Sequence, residues 1–261
     1  MNAQASLEGR DAAPRSSSPK VTAIVCAYNE EKTLPPALHS LFAQTRLPDE
    51  VIVVNNASTD GTRVVAERIP GVVVVDEPEK GLVRARAKGM QVAQGDILLY
   101  IDADCRAPLL LVERMEQVFL KSPNVVAVTG PYRFYDWDWI GIAGARVYDY
   151  TLAPFAQFTA HHLLRMGALL YGGNFAVRRS ALDAIGGFDT SIEFHGEDTN
   201  LGRRLAQVGA VRLNNSCFIY TSARRYKALG RGRVFRLYVR NFWWETVHHR
   251  PKDLMHEDVR L

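Results

Sequence analysis

Four short apolar runs, each separated from the next by a helical stretch, occupy the first half of the sequence. The runs are Val21–Ala27, Glu50–Val54, Val72–Val75 and Ile97–Ile101. Because parallel strands must be joined by crossover connections, short strands that alternate with helices are typical of βα units. The pattern predicts an α/β fold with a mostly parallel central sheet flanked by helices.

The intervening stretches have helical periodicity. Leu34, Leu38 and Leu41 recur at helical spacing after the first run. The sequence predicts a first helix that opens at Tyr28–Glu31 and stops before Pro48, further helices over 62–68, 81–95 and 109–120, and a fifth strand over 125–129. Further on, a glycine-rich turn at 171–173 is expected to enter another strand, and Ser180 is expected to cap a short helix after it.

Polar side chains follow three of the apolar runs, in the segments Ala27–Glu30, Asn55–Asp60 and Asp102–Asp104. The carboxyl ends of parallel strands meet at one edge of a sheet, where open α/β folds bind their ligands. We therefore expect a nucleotide pocket at this edge. The sequence contains neither a Gly-x-Gly-x-x-Gly turn after the first run nor a P-loop, which excludes the dinucleotide fingerprint and the P-loop enzymes.

Asp102 and Asp104 stand directly at the end of the fourth run. Two carboxylates this close repel each other unless a cation or a set of donors holds them. Their hard oxygen atoms suit Mg²⁺ or Mn²⁺. The alternatives are that Asp104 caps the next helix or that both acids lie in a solvated loop.

Composition limits the class of protein. The chain has 261 residues, of which 47 % are hydrophobic, and this suits one large α/β domain. The net charge of +4 suits a phosphorylated ligand or an anionic membrane surface and does not require nucleic acid. Three widely spaced cysteines predict a reducing, cytoplasmic compartment. No apolar stretch reaches the ~20 residues that a transmembrane helix needs.

The second half contains three further candidate segments. Tyr132–Leu170 is dense in aromatic residues and predicts one or two amphipathic helices, which either pack on the core or face an acceptor or a membrane. Glu197 and Asp198 begin a predicted helix, where negative charge is favourable in any case. A basic, aromatic helix is expected from Arg233 to His249, with a solvated face or a membrane contact.

Several motifs together resemble family 2 glycosyltransferases of the GT-A fold. They are Ala27-Tyr28-Asn29-Glu30, the loop from Val53 to Thr62, Gly81 to Arg86, Asp102-Ala103-Asp104, Gly172-Gly173-Asn174-Phe175 with Arg178, Gly186-Gly187-Phe188-Asp189, and Glu197-Asp198. The resemblance covers residues 21–213. It implies a GT-A type α/β fold with a Rossmann-like nucleotide-binding half over 20–106 and an acceptor-binding, catalytic half over 107–221. Residues 1–19 are then a disordered leader and residues 222–261 a helical extension.

The resemblance implies transfer of a sugar from a nucleotide-diphosphate sugar, with inversion and with Mn²⁺ or Mg²⁺. The implied donor-binding residues are Ala27, Tyr28, Glu30, Asn56, Arg86, Asp102, Arg224 and Arg225. Asp104, with Asp102, corresponds to the metal site, Asp198 to the general base with Glu197 beside it, and Gly172, Gly173 and Asn174 to the acceptor and sugar region. His248, His249 and His256 are further candidate metal ligands, without ligand spacing among themselves.

The sequence departs from the family pattern at two places. Asn55-Asn56 replaces a frequent Asp-Asp, and since an amide both donates and accepts, guanine and thymine stay open beside uracil. The Gln-x-x-Arg-Trp motif of processive members is absent, which indicates transfer of a single sugar. A lipid-linked or cell-envelope acceptor at the inner face of the plasma membrane is the accompanying hypothesis.

Two other functions remain to be weighed. A sugar-1-phosphate nucleotidylyltransferase uses a similar sheet but needs a glycine-rich basic loop after the first strand, which Ala27-Tyr28-Asn29-Glu30 does not supply. A non-catalytic nucleotide-sugar-binding module would not need both acid pairs. Hydrolysis of the donor in the presence of Mn²⁺ would separate an enzyme from such a module.

Overall fold

The structure is a computed structural model that describes residues 18–158, 168–192 and 196–248. Its main sheet has seven strands in the order β3-β2-β1-β4-β7-β5-β8. These strands are β1 Val21–Ala27, β2 Glu50–Asn56, β3 Val72–Glu77, β4 Ile97–Asp102, β5 Val125–Thr129, β7 Asn174–Arg178 and β8 Ala210–Leu213. A separate two-stranded sheet pairs β6 Tyr132–Phe134 with β9 Ile219–Thr221.

The mostly parallel sheet predicted from the sequence is confirmed, with one antiparallel strand. β1, β2, β3 and β4 pair in parallel, whereas β7 runs antiparallel between β4 and β5. The central strands are buried on both faces, as their continuous apolar sequence requires. The register places Cys26 opposite Asp102 and Ala27 opposite Asn55, so the three polar clusters end at the same edge.

Ten α-helices surround the sheets in the described residues. They are α1 Leu34–Phe42, α2 Thr62–Glu67, α3 Leu82–Val92, α4 Leu111–Lys121, α5 Trp139–Val147, α6 Ala153–Phe158, α7 Arg179–Ala184, α8 Glu197–Leu205, α9 Arg224–Leu229 and α10 Arg231–His248. A π turn, Tyr148–Leu152, joins α5 to α6. Leu34, Leu38 and Leu41 are buried as predicted.

Two local predictions need correction. The fourth helix begins at Leu111 with Leu110 as its N-cap residue, so Asp104 does not cap it. Arg178, in extended conformation, precedes the first turn of α7, which places Ser180 inside that turn instead of at the cap. The strands β6, β8 and β9 were not predicted, because they are short and lack a distinctive alternation.

Between Thr221 and His248 the chain forms α9 and α10, and α10 packs against α8. Among the described residues, no helix combines the length and the apolar character needed to cross a membrane. His249 and His256 lie outside the described residues. So does the predicted leader over 1–19, except for residues 18 and 19.

Candidate active site

The loops after β1 and β2 are tied to each other by hydrogen bonds. Asn29 N donates to Ser58 Oγ at 3.1 Å, Thr59 N donates to Asn29 Oδ1 at 2.8 Å, and Glu30 N donates to Thr62 Oγ1 at 2.8 Å. Asn29 has φ of 51°, a left-handed conformation that asparagine tolerates better than most residues. The polar cluster at 55–60 thus supports the neighbouring loop and is not only a turn.

Tyr28 faces this edge of the sheet, whereas the side chain of Ala27 is buried. Lys80 Nζ lies 3.9 Å from the centroid of the Tyr28 ring, within the range of a cation–π contact. Of the predicted pair, therefore, Tyr28 can offer its side chain to a base and Ala27 only its backbone.

Asn56, predicted to lie at the base, also ties two loops together. Its Nδ2 donates to Glu77 O at 3.1 Å and to Glu79 O at 2.7 Å, and its Oδ1 accepts from Gly81 N at 2.8 Å. Both amide protons are engaged with the backbone. In this geometry Asn56 shapes the loop that carries Lys80 and has no donor left with which to read a base.

Arg86 is buried and connects the two halves of the site. Its Nη1 donates to Glu197 Oε1 at 3.2 Å, its Nη2 donates to Gly172 O at 2.7 Å, and Nη2 lies 3.9 Å from Asp102 Oδ1. A guanidinium with several fixed partners orients them relative to one another. The predicted donor residue Arg86 therefore also aligns Glu197 with the end of β4.

Asp102, Asp104 and Cys105 form the one cluster of possible metal ligands found among the described residues, with their ligand atoms within 4.8 Å of one another. The sulfur of Cys105 is a soft ligand, which suits Mg²⁺ or Mn²⁺ less well than a carboxylate oxygen does. The carboxylates of Asp102 and Asp104 are therefore the two donors that fit a hard divalent cation.

Arg224 lies against these carboxylates. Its Nη2 is 3.1 Å from Asp104 Oδ2 and 2.5 Å from Glu30 Oε1. Burial raises the pKa of Asp104 to about 6, and the charge of Arg224 opposes that shift. The guanidinium of Arg224 thus lies next to the carboxylates that could bind a metal ion and supplies positive charge there. Arg225 follows it on α9.

Glu197 and Asp198 begin α8, after Gly196 in a left-handed conformation with φ of 83°. Burial raises the pKa of Glu197 to about 7, with Asp198 adding to the shift and Arg86 opposing it. Burial also raises the pKa of Asp198, whose Oδ1 accepts from Thr199 N at 2.8 Å. A carboxylate with a raised pKa is a stronger base, as proton abstraction requires.

The turn at Gly172 and Gly173 lies between the two acid pairs. A Cβ on Gly172 would lie 3.2 Å from Glu197 Oε1, and a Cβ on Gly173 would lie 2.1 Å from Asp102 Oδ2. The glycines therefore give the backbone a close approach that no side chain allows.

Asn174, predicted to belong to the acceptor region, is fully buried. Its Nδ2 donates to Gly130 O at 2.9 Å and to Cys217 O at 2.8 Å. Its side chain fixes the turn between β7 and its neighbours, and its place in the acceptor region stays a prediction.

Sequence reasoning missed a polar cluster beneath this turn. Asp149, in the π turn, is buried and accepts from the Tyr171 hydroxyl at 3.0 Å, and its Oδ2 has no partner. Arg133 is also buried, with Nε and Nη1 unpartnered. Tyr132 OH accepts from Gly173 N at 2.8 Å. The sequence signal was the aromatic density of this segment, which does not reveal which polar groups point inward.

Asp149 makes the stability of the fold depend on pH. Burial raises the pKa of Asp149 from 3.8 to about 6. Between these two pH values the folded protein therefore keeps a proton on Asp149 that the unfolded chain has released. Stability is therefore retained below the ordinary pKa and falls as the pH rises through about 6. We expect Asp149→Asn to increase the free energy of unfolding by up to about 3 kcal/mol near neutral pH and by little in acid. Urea unfolding of both proteins across this range measures the difference, and a constant difference would contradict it.

Comparisons with known proteins agree with this architecture. The family described as glycosyl transferase family 2 matches residues 22–186. The chain is 25 % identical over 194 residues to the glucosyl-dolichyl phosphate glucuronosyltransferase of Haloferax volcanii, covering 68 % of this chain and 58 % of that enzyme. It is 30 % identical over 106 residues to the glycosyltransferase AglE of the same organism, covering 38 % of this chain and 35 % of that protein. The chain thus spans well under two thirds of these curated relatives.

Two solved structures share the fold. The mannosyltransferase PcManGT of Pyrobaculum calidifontis, solved with GDP-Man and Mn²⁺, superposes with a TM-score of 0.66 at 23 % identity over 93 % of this chain and 67 % of that one. Glucosyl-3-phosphoglycerate synthase of Mycobacterium tuberculosis, solved with Mn²⁺, UDP and phosphoglyceric acid, has a TM-score of 0.60 at 22 % identity over 87 % of this chain and 78 % of that one. With its mostly parallel GT-A sheet and a family match over residues 22–186, the chain belongs to glycosyl transferase family 2.

Proposed function

We propose that this glycosyltransferase transfers one sugar from a nucleotide-diphosphate sugar to an acceptor hydroxyl, with inversion and with the help of a divalent cation. The observation that carries the proposal is the placement of two acid pairs. Asp102 of the first pair lies against Gly173, and Glu197 and Asp198 lie against Gly172. Arg86 contacts both pairs, through Asp102 and Glu197. Direct displacement needs charge stabilisation at the leaving group and a base at the attacking hydroxyl, on opposite faces of the sugar.

On the donor side, Tyr28 and Lys80 offer an aromatic face and a cation, and Arg86 holds the end of β4 in position. Asp102 and Asp104 would hold Mn²⁺ or Mg²⁺, which supplies Lewis-acid stabilisation of the leaving diphosphate. Arg224 is the nearest described cation that can add to this stabilisation, and Glu30 keeps its guanidinium in place.

On the acceptor side, Asp198 takes the proton of the attacking hydroxyl. Its raised pKa favours this step, and the hydrogen bond from Thr199 N leaves one of its carboxylate oxygens for the acceptor. Glu197, held by Arg86, is a positioning residue that keeps the start of α8 beside the glycine turn.

Nucleotide binding tests the proposal directly. We would measure thermal unfolding with UDP, GDP, dTDP and CMP, each with and without Mn²⁺, since a ligand at ~100 times its Kd adds about 2.7 kcal/mol of stability. Two structural neighbours were solved with GDP-Man and with UDP, so either base is a candidate. A Mn²⁺-dependent shift with one diphosphate supports the proposal, and no shift with any of them contradicts it.

The contact of Arg224 with Asp104 gives a second prediction. Arg224→Gln is expected to increase the affinity for Mn²⁺ alone, because the guanidinium no longer competes at Asp104 Oδ2. The same change should weaken nucleoside diphosphate binding in the presence of Mn²⁺, each effect being about tenfold. Titration calorimetry measures both.

Lys227→Gln is the matched control for this change, because Lys227 lies on the same helix but pairs with Asp136. It should leave both affinities unchanged. Equal Mn²⁺ affinity in Arg224→Gln and the wild type would mean that the arginine and the cation do not share Asp104.

A non-catalytic binding module is the second candidate, and the second acid pair, Glu197 and Asp198, beside the glycine turn argues against it. Measurable release of sugar from the donor in the presence of Mn²⁺ would exclude it. A lipid-linked or cell-envelope acceptor and a position at the inner face of the plasma membrane stay predictions from the sequence. The relative in Haloferax volcanii that is named for a dolichyl phosphate substrate is consistent with them.

A further inference from the structure

The helical segment formed by α5, the π turn and α6 carries exposed apolar side chains. They are Trp139, Ile140, Val147, Tyr150, Leu152 and Phe155, which we call the apolar stripe. Trp139 is 78 % exposed and Phe155 is 67 % exposed. Six of the seventeen large apolar side chains that are exposed in the described residues thus fall within this one segment. Single exposed apolar residues need no explanation, but a cluster of this kind marks an interaction surface.

The apolar stripe continues across the π turn. The hydrogen bonds of this turn span one residue more than those of an α-helix, so it shifts the following residues around the axis. Leu152 and Phe155, on and after the π turn, are exposed like Trp139 and Val147 before it, whereas Asp149 and Ala153 are buried. A π turn in mid-helix is often found at functional sites.

The opposite face of the same segment points toward the candidate active site. Asp149 binds the Tyr171 hydroxyl, next to the glycine turn. Burial raises the pKa of Tyr148, and the charges of Asp149 and Asp198 add to the shift, which places Tyr148 within electrostatic range of the proposed base. The segment therefore separates the acceptor side of the site from the outer surface that bears the stripe.

The surroundings of the stripe are positively charged. Arg146 is exposed within the segment, and none of the exposed residues over 139–155 is acidic. Arg231, at the start of α10, pairs with Asp138 directly before Trp139 and lies 5.6 Å from the centroid of the Trp137 ring. One turn later, Phe235 is exposed between two exposed arginines, Arg233 and Arg236.

We propose that the apolar stripe, together with the first turns of α10, docks on an anionic membrane surface. Tryptophan and tyrosine favour the headgroup region, where an amphipathic ring has both apolar and polar neighbours. Arginines beside them gain free energy from anionic lipids, and no carboxylate on the stripe opposes this. A protein partner could bury the apolar residues too, but the exposed arginines beside the stripe outnumber its one exposed neighbouring carboxylate, Asp138, and this favours an anionic surface.

The orientation deepens the proposed function by naming the class of acceptor. Because the segment bears the membrane contact on one face and adjoins the acceptor side with the other, the acceptor hydroxyl would belong to a membrane-anchored molecule. This consequence rests on the proposed function, whereas membrane docking itself requires neither nucleotide nor catalysis.

Flotation of the full chain with lipid vesicles tests the docking. We expect it to float with phosphatidylglycerol–phosphatidylcholine vesicles at low salt, and less with phosphatidylcholine alone or at high salt. The double variant Trp139→Ser/Phe155→Ser should weaken partitioning into the vesicles on the order of a hundredfold. Each change removes one large apolar side chain that the membrane would bury. Arg233→Gln/Arg236→Gln should weaken it by about fivefold per arginine with anionic vesicles only.

The matched control is Val64→Ser/Leu120→Ser, two exposed apolar residues on α2 and α4, outside the stripe. It should float like the wild type, and circular dichroism of every variant checks the fold. Wild-type protein that stays at the bottom at low salt would overturn the proposal. So would equal flotation of the wild type and Trp139→Ser/Phe155→Ser.

Light scattering tests whether a second copy of this chain, and not a membrane, covers the apolar stripe. A wild-type dimer that becomes monomeric in Trp139→Ser/Phe155→Ser, without vesicle binding, would assign the stripe to self-association and reject the membrane. Vesicle binding by a protein that shows no nucleotide-dependent shift would instead contradict the proposed function and leave the docking intact.

Discussion

Replacing Asp198 with asparagine is expected to reduce sugar transfer about 100- to 10,000-fold while leaving donor binding nearly unchanged. General-base assistance contributes a factor of this size, and an amide cannot accept the proton of the acceptor hydroxyl. The fold should persist, because the asparagine oxygen can still accept from Thr199 N. Steady-state transfer and nucleotide titration on the same preparation measure the two effects.

Asp183→Asn is a suitable control, because Asp183 is exposed on α7. It should leave transfer unchanged. If Asp198→Asn lost nucleotide binding as well, Asp198 would be holding the donor pocket through its neighbours, Glu197 and Arg86. Unchanged transfer would remove Asp198 from the mechanism.

Asp104→Asn is expected to abolish the part of nucleotide affinity that depends on Mn²⁺. The asparagine keeps the shape of the side chain but removes one of the two carboxylates that can hold the cation. A loss of about 100-fold in affinity for the donor diphosphate, or about 2.7 kcal/mol, is expected with Mn²⁺ and little change without it. Calorimetric titration with and without Mn²⁺ separates the two.

Cys105→Ser is the control for this experiment, since a soft sulfur next to the two carboxylates is not a preferred ligand of Mn²⁺ or Mg²⁺. It should retain the Mn²⁺-dependent affinity. Equal, metal-independent binding by the wild type and Asp104→Asn would show that the carboxylate does not hold the cation.

Much of the donor side was predictable. The strands from Val21 to Asp102 and their order in the chain follow from local apolar runs, and the polar clusters follow from where those runs stop. The position of Arg86 on a helix facing the strand ends also follows from the motif. The roles of Asn56 and Asn174 did not, because a buried amide binds whichever backbone groups lie nearest, and their identity depends on the fold.

The acceptor side was harder to predict. The aromatic segment after Tyr132 indicated helices, as observed. The sequence did not decide whether these helices pack on the core or face an acceptor or a membrane. Hydropathy does not distinguish a side chain that packs inward from one that faces out when both faces are apolar. The π turn within this segment has no clear sequence signal either.

By itself, the sequence determined the α/β class, the strand-end position of Asp102 and Asp104, and the helix-start position of Glu197 and Asp198. These features depend on periodicity and on neighbours within a few residues. Only the tertiary structure decided that Arg224 reaches Glu30, 194 residues away in the chain, and lies against Asp104. Only the tertiary structure likewise shows that Arg86 contacts both acid pairs. The physical reason is that such contacts join residues far apart in the chain, and they form only when the helices and strands pack together. No pattern within a few residues of sequence encodes that packing.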